Sequence, residues 1–446
     1  MRRRALFALV TALLVFGGAT ALAQKYQIYK KTLANGLDVI VVHNPSVPLV
    51  TVEIDVHNGA YTEPPEYNGL SHLYEHMFFK ANKAIPSQEQ YLERLRELGA
   101  TWNGTTGDER VNYFFTVPRD SLIPSLVFMY NAITSPLFLQ EELVKERPVV
   151  TGEYDRAESN PFFLLNRTVD RLVWWKYYTR KNALGERDVI LSATTAKMQT
   201  IQNRYYVPNN AALVLAGDIA PDEGFRLAEK YFASWKRGAD PFTVNPVPEH
   251  PPIRKTETAV VEAPVNAVTI MMKWQGPSVS KDPQSTYAAD VLSFILTQRT
   301  SKFYKDLVET GVSYAANLNY QTENHKGPIV LFAQTSADNF GKCQQAILDE
   351  LKKMGDPGYF TDEQLENAKT ILAIDEQYGR ERPSQYSHTV GYWWAIAGLD
   401  YYLNYVDNLK KATRQDIAHY LNTYVNGKPY VMGVLSSPQD RKKLGL

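Results

Sequence analysis

The sequence contains a single cysteine, Cys343, so no disulfide can form within the chain. It also lacks a net charge, because 48 Lys and Arg residues balance 48 Asp and Glu residues. Proteins that bind nucleic acids rely on an excess of positive charge, so this balance does not support DNA or RNA as a partner. A chain of 446 residues exceeds what one hydrophobic core normally organises, which favours two or more domains.

The only long apolar run lies at the start of the chain. Arg2, Arg3 and Arg4 precede an apolar segment over residues 5–18, and the small-residue motif Ala21-Leu22-Ala23 follows it. This arrangement is typical of a secretory signal peptide, and the apolar run is short for a membrane anchor. We therefore predict a signal peptide over residues 1–23 and a periplasmic or secreted protein with no membrane span after cleavage.

The segment over residues 71–77 contains the pattern His72-x-x-Glu75-His76. On a helix these three side chains share one face, because positions i, i+3 and i+4 are neighbours. Two imidazoles on adjacent turns can hold one zinc ion, and a carboxylate beside them can take a proton from water that the metal activates. The order H-x-x-E-H is that of the inverzincins. The alternative is an amphipathic helix with two incidental histidines, since short motifs also match by chance.

Zinc held by two histidines needs a third protein ligand, which this motif does not contain. A predicted helix over residues 139–158 contains Glu146 and Glu153, which are seven residues apart and therefore share one face. A carboxylate from this helix fits the requirement. The pattern alone does not choose Glu153 over Glu142, Glu146 or Glu158, and a solvated acidic face is the alternative.

Strand patterns surround the motif. An Asn-Gly turn at residues 35–36 between two apolar runs predicts a hairpin over residues 26–42, and a further strand covers residues 48–56. His57 ends that strand and is expected at the surface. Residues 100–106 are small and polar and precede a strand over residues 111–117. They form either an ordinary hairpin arm or an edge strand to which a peptide can add as a further strand.

A proline-rich segment over residues 237–255 separates two similar halves. The strand ending at Gly59 has a counterpart ending at Gly276, 217 positions later, and the helix leading to Tyr206 has one leading to Tyr424, 218 positions later. Nearly equal offsets predict a duplicated domain. The second copy of the motif helix, residues 285–296, contains no histidine. We predict an N-terminal zinc-binding domain over residues 24–236, a linker over 237–255 and a homologous domain without zinc over 256–446.

These motifs resemble the pitrilysin/insulinase family of zinc peptidases, and most of all its half-size members, which are similar to the mitochondrial processing peptidase subunits. The resemblance covers residues 24–446 and rests on five stretches: Asn35 to Leu37, Gly69 to His76, Asn103 to Thr106, Glu146 to Glu153, and Ala216 to Asp218. It implies zinc bound by His72, His76 and Glu153, catalysis by Glu75, and support from Glu146 behind the ligands.

The resemblance also implies an α+β fold of two duplicated α/β-roll domains, each an antiparallel-rich sheet packed by helices. It further implies a clamshell of two subunits and a peptide substrate along the edge at Asn103, Gly104 and Thr105. Active relatives often carry an Arg seven residues before a Tyr in the second half. Here Tyr314 is present, but Val308 stands where the Arg belongs and one residue is missing.

Without such an oxyanion donor the rate typically falls by about 10²–10³. We therefore expect a related subunit that carries the Arg/Tyr pair, in a heterodimer. The expected activity is that of an exported zinc metalloendopeptidase acting on peptides or extended polypeptide segments, with Zn²⁺ as cofactor. The alternatives are an independent homodimeric protease and a non-catalytic, zinc-containing assembly or chaperone-like subunit. The presence of Glu75 argues against the non-catalytic alternative, because a structural zinc site needs no base.

Overall fold

The computed structural model describes residues 27–380 and 383–446, so the predicted signal peptide lies outside the described residues. The described chain forms two sheets. The first contains β1 (Gln27–Thr32), β2 (Asp38–His43), β3 (Leu49–Val56), β4 (Thr101–Thr106), β5 (Val111–Pro118) and β6 (Ala211–Gly217). The second contains β7 (Glu257–Glu262), β8 (Val268–Gln275), β9 (Ala315–Tyr320), β10 (Pro328–Thr335) and β11 (Val431–Ser436).

Helices pack on both sheets. Those of the first half are α1 (Leu70–Phe78), α2 (Gln88–Glu97), α3 (Leu122–Thr134), α4 (Gln140–Glu158), α5 (Pro161–Val173), α6 (Arg187–Leu191), α7 (Thr195–Tyr205) and α8 (Pro221–Phe232). The linker contains α9 (Pro241–Val244). The second half contains α10 (Pro283–Thr297), α11 (Lys302–Tyr304), α12 (Phe340–Lys353), α13 (Asp362–Tyr378), α14 (Pro383–Ile396), α15 (Leu399–Leu403), α16 (Tyr405–Lys411), α17 (Arg414–Tyr424) and α18 (Pro438–Arg441).

The two sheets share one topology. The strand order is β1-β2-β6-β3-β5-β4 in the first sheet and β7-β11-β8-β10-β9 in the second. Without β1, the orders correspond strand for strand. In each sheet one pair is parallel, β2 with β6 and β7 with β11, and the other pairs are antiparallel. The predicted α+β fold of two duplicated, antiparallel-rich sheets packed by helices is confirmed.

One face of the first sheet packs on helices of the same half. On β3, Val50, Val52, Ile54 and Val56 are fully buried in a core formed with helices of the same half. The predicted hairpin is also present, since β1 pairs with β2 and the turn places Gly36 at a φ of 94°. A positive φ of this size suits glycine because it has no Cβ.

The opposite face of each sheet is covered by a helix from the other half. Helix α5 lies on β7, β8 and β11, where Leu165 and Val169 pack against Val431 and Leu435. Reciprocally, α14 lies on β3 and β6. Each half therefore completes the core of the other, so the two halves are joined by more than the linker.

This exchange explains one wrong prediction. His57 was expected at the surface, but its ring stacks on Trp394 of α14 at 4.2 Å between centroids, and its Nε2 is shielded from solvent. Burial lowers the pKa of His57 to about 4, so the ring is neutral at pH 7.

Within the part of the chain that the structure describes, no helix combines the length and the apolar character that a membrane span requires.

Candidate metal centre

Helix α1 begins in tightly packed surroundings and is capped by a side chain from the preceding loop. Gly69 precedes it with a φ of 88°, and a Cβ at this position would lie 2.6 Å from the Cα of Gly185. The carboxylate of Glu63 accepts hydrogen bonds from the main-chain N–H groups of Gly69 at 2.7 Å and Ser71 at 2.6 Å. Because the first N–H groups of a helix lack partners within it, Glu63 acts as the cap of α1.

The Glu63 carboxylate is nearly inaccessible to solvent, and burial raises its pKa to about 7 despite the hydrogen bonds that favour the charged form. Its Oε2 also accepts a hydrogen bond at 3.2 Å from Asn68, whose side chain donates to the main-chain oxygens of Thr179 and Asn182. The start of α1 is therefore anchored to the loop that precedes α6. This network fixes the helix from which the motif side chains project.

Three of the predicted site residues converge. The Nε2 of His72 lies 3.5 Å from Oε2 of Glu153, and the Nε2 of His76 lies 3.8 Å from Oε1 of the same carboxylate. One donor atom from each residue lies within 4.8 Å of the others. Helix α4 continues through Pro148, so this proline does not prevent Glu153 from reaching the histidines.

The donor set fits zinc. Zinc favours imidazole nitrogen and carboxylate oxygen at about 2.0–2.2 Å with tetrahedral angles, which separates two ligand atoms by about 3.3–3.5 Å. The separations of 3.5 and 3.8 Å, which end on the two different oxygens of Glu153, are close to that range. Burial and the neighbouring His76 lower the pKa of His72 to about 4, so its imidazole is neutral at pH 7. The neutral form is the one that binds a metal.

Glu146 lies behind His76 and fixes its ring. Its Oε1 is 2.8 Å from Nδ1 of His76, and its Oε2 is 2.5 Å from Nζ of Lys80. A carboxylate that accepts from Nδ1–H keeps the proton there and leaves Nε2 for a metal. Burial opposes protonation of His76, but the hydrogen bond to Glu146 and the charge of Glu153 outweigh it and raise the pKa of His76.

Glu75 lies between α1 and the edge strand β4. Its Oε2 accepts a hydrogen bond from Thr106 Oγ1 at 2.7 Å. A Cβ on Gly104 would come within 2.9 Å of Glu75 Cγ, so only glycine leaves room for this carboxylate. Burial raises the pKa of Glu75, against the opposing effect of the Thr106 hydrogen bond. The raised pKa suits a group that takes up and returns a proton near neutral pH.

The predicted substrate residues lie on β4, at the edge of the first sheet. Asn103 and Thr105 are exposed, whereas Gly104 is buried under Glu75. Tyr314 immediately precedes β9, the edge strand of the second sheet, and 62% of its surface is exposed. Among the described contacts, no hydrogen bond or ion pair joins Tyr314 to the metal centre, and its role in substrate binding stays a prediction.

Three functional positions were missed by sequence reasoning. Glu63 precedes α1 by seven residues, which is not a capping-box spacing, so no local pattern identified it. Lys80 follows His76 by one helical turn, a spacing that could have pointed to the pair with Glu146. Thr106 belongs to the segment over residues 100–106 that was predicted to bind substrate. Its hydrogen bond to Glu75 could not be predicted, because it depends on how β4 packs against α1.

Comparison with known proteins identifies the family of this chain. Residues 38–179 match the family described as Insulinase (Peptidase family M16), and residues 192–372 match the Peptidase M16 inactive domain. A Helicobacter pylori protein named zinc protease PqqE is 26% identical over 83% of this chain and 84% of its own length. The metal named in that relative agrees with the donor set of His72, His76 and Glu153.

Solved structures agree on the fold. A protease from Helicobacter pylori has a TM-score of 0.80 at 22% identity, covering 92% of this chain and 100% of that chain. The periplasmic protease PqqL from Escherichia coli has a TM-score of 0.78 at 16% identity, covering 95% of this chain and 49% of that chain. The fold is therefore common to these proteins and this chain.

Proposed function

The chain belongs to the insulinase family, peptidase family M16, and from this we propose that it is an exported zinc metalloendopeptidase acting on peptides or extended polypeptide segments. The observation that carries the proposal is the position of Glu75. A structural metal site needs ligands only, whereas here a half-buried carboxylate with a raised pKa stands between the donor set and an open sheet edge.

His72 and His76 would hold zinc through Nε2, and Glu153 through its carboxylate. Bound zinc supplies Lewis acidity, which lowers the pKa of a coordinated water to about 7 and polarises a peptide carbonyl. Glu146 keeps the proton of His76 on Nδ1, so that Nε2 stays available as a ligand.

Glu75 moves the proton. Thr106 occupies its Oε2, which leaves Oε1 to take a proton from the attacking water and return it to the nitrogen of the leaving amine. The hydrogen bond from Thr106 also fixes the carboxylate against Gly104, so the proton acceptor is held in place before substrate binds.

The substrate would add to the free edge of β4 as a further strand. The unpaired main-chain groups of an edge strand bind any extended peptide, and so they favour unfolded segments over folded proteins. Asn103, Gly104 and Thr105 are the proposed contacts. Export to the periplasm or beyond is supported by the signal-like start of the sequence and by the structural similarity to the periplasmic protease PqqL.

The proposed active enzyme includes a second subunit. Val308 stands where relatives often carry an Arg, and Tyr314 lies at the start of β9, so this chain has only part of the expected oxyanion-binding pair. We infer a heterodimer in which a related subunit supplies the Arg/Tyr pair, while this chain supplies zinc. A homodimer that is active by itself is the alternative.

The test combines zinc quantification with cleavage of a quenched peptide library, using the mature chain with and without the related subunit. We expect about one zinc per chain and cleavage that rises strongly when the subunit is added. Glu75→Gln should retain zinc and lose about 10²–10⁴ in rate, whereas Glu89→Gln, at an exposed position on α2, should behave as wild type.

Full turnover by Glu75→Gln would contradict the assignment of the base. Equal activity with and without the subunit would exclude the heterodimer and favour the homodimeric protease. Zinc binding without cleavage under any of these conditions would favour the non-catalytic, zinc-containing assembly subunit.

A further inference from the structure

Three charged residues lie between the first sheet and helix α14, close to the strand that was proposed as the substrate edge. Glu53 and Asp55 of β3 are fully buried on the face of the sheet that α14 covers. Arg110, which links β4 to β5, reaches the same place, with Nη1 at 3.2 Å from Oδ1 of Asp55. The proposed peptidase mechanism uses none of these three residues.

Glu53 is held by donors from both halves of the chain. Its Oε1 accepts a hydrogen bond from Nδ2 of Asn112 on β5 at 2.6 Å. Its Oε2 accepts one from Oγ of Ser387 at 2.9 Å and lies 2.7 Å from Nδ1 of His388, both on α14. Burial opposes ionisation of Glu53, but the hydrogen bond from His388 and the nearby Arg110 outweigh burial and lower its pKa. The carboxylate is therefore ionised at pH 7.

The charge on Glu53 determines how the Asn112 amide is turned. An ionised carboxylate only accepts hydrogen bonds, so the NH₂ group of Asn112 faces Glu53. Its Oδ1 then faces β4, where it accepts a hydrogen bond from the Thr105 hydroxyl. That hydroxyl also accepts from Nη2 of Arg110 at 3.4 Å, and Nη1 of Arg110 donates to the main-chain oxygen of His388 at 2.9 Å. A continuous set of contacts therefore joins α14 to β4.

The main-chain pairing shows which groups of β4 are free. The N–H of Gly107 donates across the hairpin turn at 2.8 Å, and hydrogen-bonded pairs recur at every second residue of an antiparallel ladder. Thr105 and Asn112 are therefore such a pair, and the main-chain groups of Thr105 point to β5. The main-chain groups of Gly104 and Thr106 point away from β5, to the open edge where a further strand would pair.

Strand β4 needs support at this place. It is an edge strand with one neighbour, β5, and Gly104 makes its backbone less restricted than that of other residues. The side-chain bond from Thr105 to Asn112 adds to the main-chain bonds of the same pair, directly after the glycine. This extra bond limits the directions in which the free groups on either side of Thr105 can point.

We propose that Glu53 is a positioning residue for substrate binding: it orients Asn112, which holds Thr105 and thereby fixes the outward main-chain groups of β4 for pairing with a substrate strand. The inference rests on the proposed function, because it takes β4 as the substrate edge. Glu53 itself does not touch the substrate. The second half contributes to substrate binding through the two donors of α14 that hold Glu53.

The experiment compares six variants of the zinc-loaded mature chain with wild type. Glu53→Gln removes the charge, Thr105→Val removes the hydroxyl and Thr105→Ser keeps it. The double variant Glu53→Gln/Thr105→Val tests whether the two residues act through one set of contacts. Glu262→Gln and Thr258→Val, at exposed positions of β7, are the matched controls.

Two readouts are combined. The first is KM and kcat for one quenched peptide, under the conditions in which wild type cleaves it. The second is hydrogen exchange of residues 101–106, followed by mass spectrometry without substrate. Zinc content and melting temperature are measured on the same samples. Because hydrogen exchange needs no catalysis, it tests the support of β4 separately from the proposed peptidase activity.

We expect Glu53→Gln and Thr105→Val to raise KM by about tenfold, on the order of one lost hydrogen bond to a charged group, and to speed exchange in residues 101–106. The value of kcat should change by less than about twofold, because among the described contacts Glu53 bonds neither to Glu75 nor to a zinc ligand. Thr105→Ser and both controls should match wild type. The double variant should raise KM no further than the larger single effect.

An unchanged KM in Glu53→Gln would overturn the proposal, even with a lowered melting temperature, because that pattern indicates a purely structural role. Additive effects on KM in the double variant would show that Glu53 does not act through Thr105. Unchanged exchange of residues 101–106 in both single variants would also refute the positioning role. If Glu53→Gln does not fold, equal KM values for Thr105→Val and Thr105→Ser would be the refuting result.

Failure of the proposed function gives a different result. If wild type cleaves no peptide, the peptidase proposal fails, and the dissociation constant of a labelled octapeptide of alternating Thr and Val, measured by fluorescence anisotropy, replaces KM. Weaker binding and faster exchange in Glu53→Gln would then still support the positioning role. No binding to wild type would refute β4 as a peptide-binding edge and this inference with it.

Discussion

Replacement of Glu146 by Gln tests how the metal centre is held in place. In the native protein one buried carboxylate satisfies Nδ1–H of His76 at 2.8 Å and the ammonium of Lys80 at 2.5 Å. A glutamine side chain has one oxygen and one NH₂ group. If its oxygen faces His76, its NH₂ group faces another donor on Lys80, and the reverse orientation leaves two donors facing each other at His76.

Two separable losses follow from Glu146→Gln. Loss of the carboxylate behind a metal-binding histidine typically weakens metal affinity by about 10–100-fold, or about 1.4–2.8 kcal/mol. Lys80, which is 9% exposed, also loses its counter-ion, and removal of one partner from a buried ion pair destabilises the fold by about 3–5 kcal/mol. The double variant Glu146→Gln/Lys80→Met removes the unpaired cation. It should therefore recover much of the stability without recovering zinc affinity.

Zinc affinity is measured by competition with a chromophoric chelator, and stability by urea denaturation of the zinc-free protein. Glu141→Gln, at an exposed position in the first turn of the same helix, is the control and should match wild type in both assays. Wild-type zinc affinity in Glu146→Gln would refute the argument that this carboxylate orients His76. Recovery of zinc affinity together with stability in the double variant would show that the effect acts only through folding.

Further variants test the surroundings of the site. Gly104→Ala places a Cβ 2.9 Å from Glu75 Cγ and should lower kcat by about tenfold or more with zinc retained. Gly107→Ala should not, because its Cβ would make only an ordinary contact of 3.7 Å with the main-chain oxygen of Arg110. Equal kcat in the two variants would contradict the assigned packing. Glu63→Ala should destabilise the protein by about 1–3 kcal/mol in thermal denaturation and weaken zinc binding, since two main-chain donors of α1 lose their acceptor. Glu66→Ala, at an exposed neighbour, is the control, and equal stability of the two variants would refute the cap. The two halves expressed separately should bind a hydrophobic dye and lack cooperative unfolding. Co-expression of the two halves should abolish dye binding and restore cooperative unfolding. Cooperative unfolding of either half alone would contradict the exchange of α5 and α14.

Local patterns allowed much of the fold to be predicted. The helix carrying His72, Glu75 and His76 follows from the spacing of the motif, and the β1–β2 hairpin follows from its Asn-Gly turn. The duplication follows from two nearly equal offsets, which the matching strand orders confirm. These features depend on residues close in the chain or on repetition, so one sequence contains the information.

The arrangement of contacts between distant segments could not be predicted in this way. Pattern reasoning left four glutamates open as the third ligand, and only the resemblance selected Glu153, which the structure places 3.5 Å from His72. Nothing in the sequence pairs Glu63 with the start of α1 or places His57 under Trp394. Each of these contacts depends on how separate elements pack.

The sequence by itself determined the kinds of elements, the repeated half and the residue types able to hold zinc and move a proton, because these depend on periodicity and side-chain chemistry. The tertiary structure decided which carboxylate meets the two imidazoles, which glycine leaves room for Glu75, and which half covers which sheet. The physical reason is that such contacts are set by the packing of whole sheets and helices. Burial then moves the pKa of groups such as His57 and Glu75 away from the values of the free side chains.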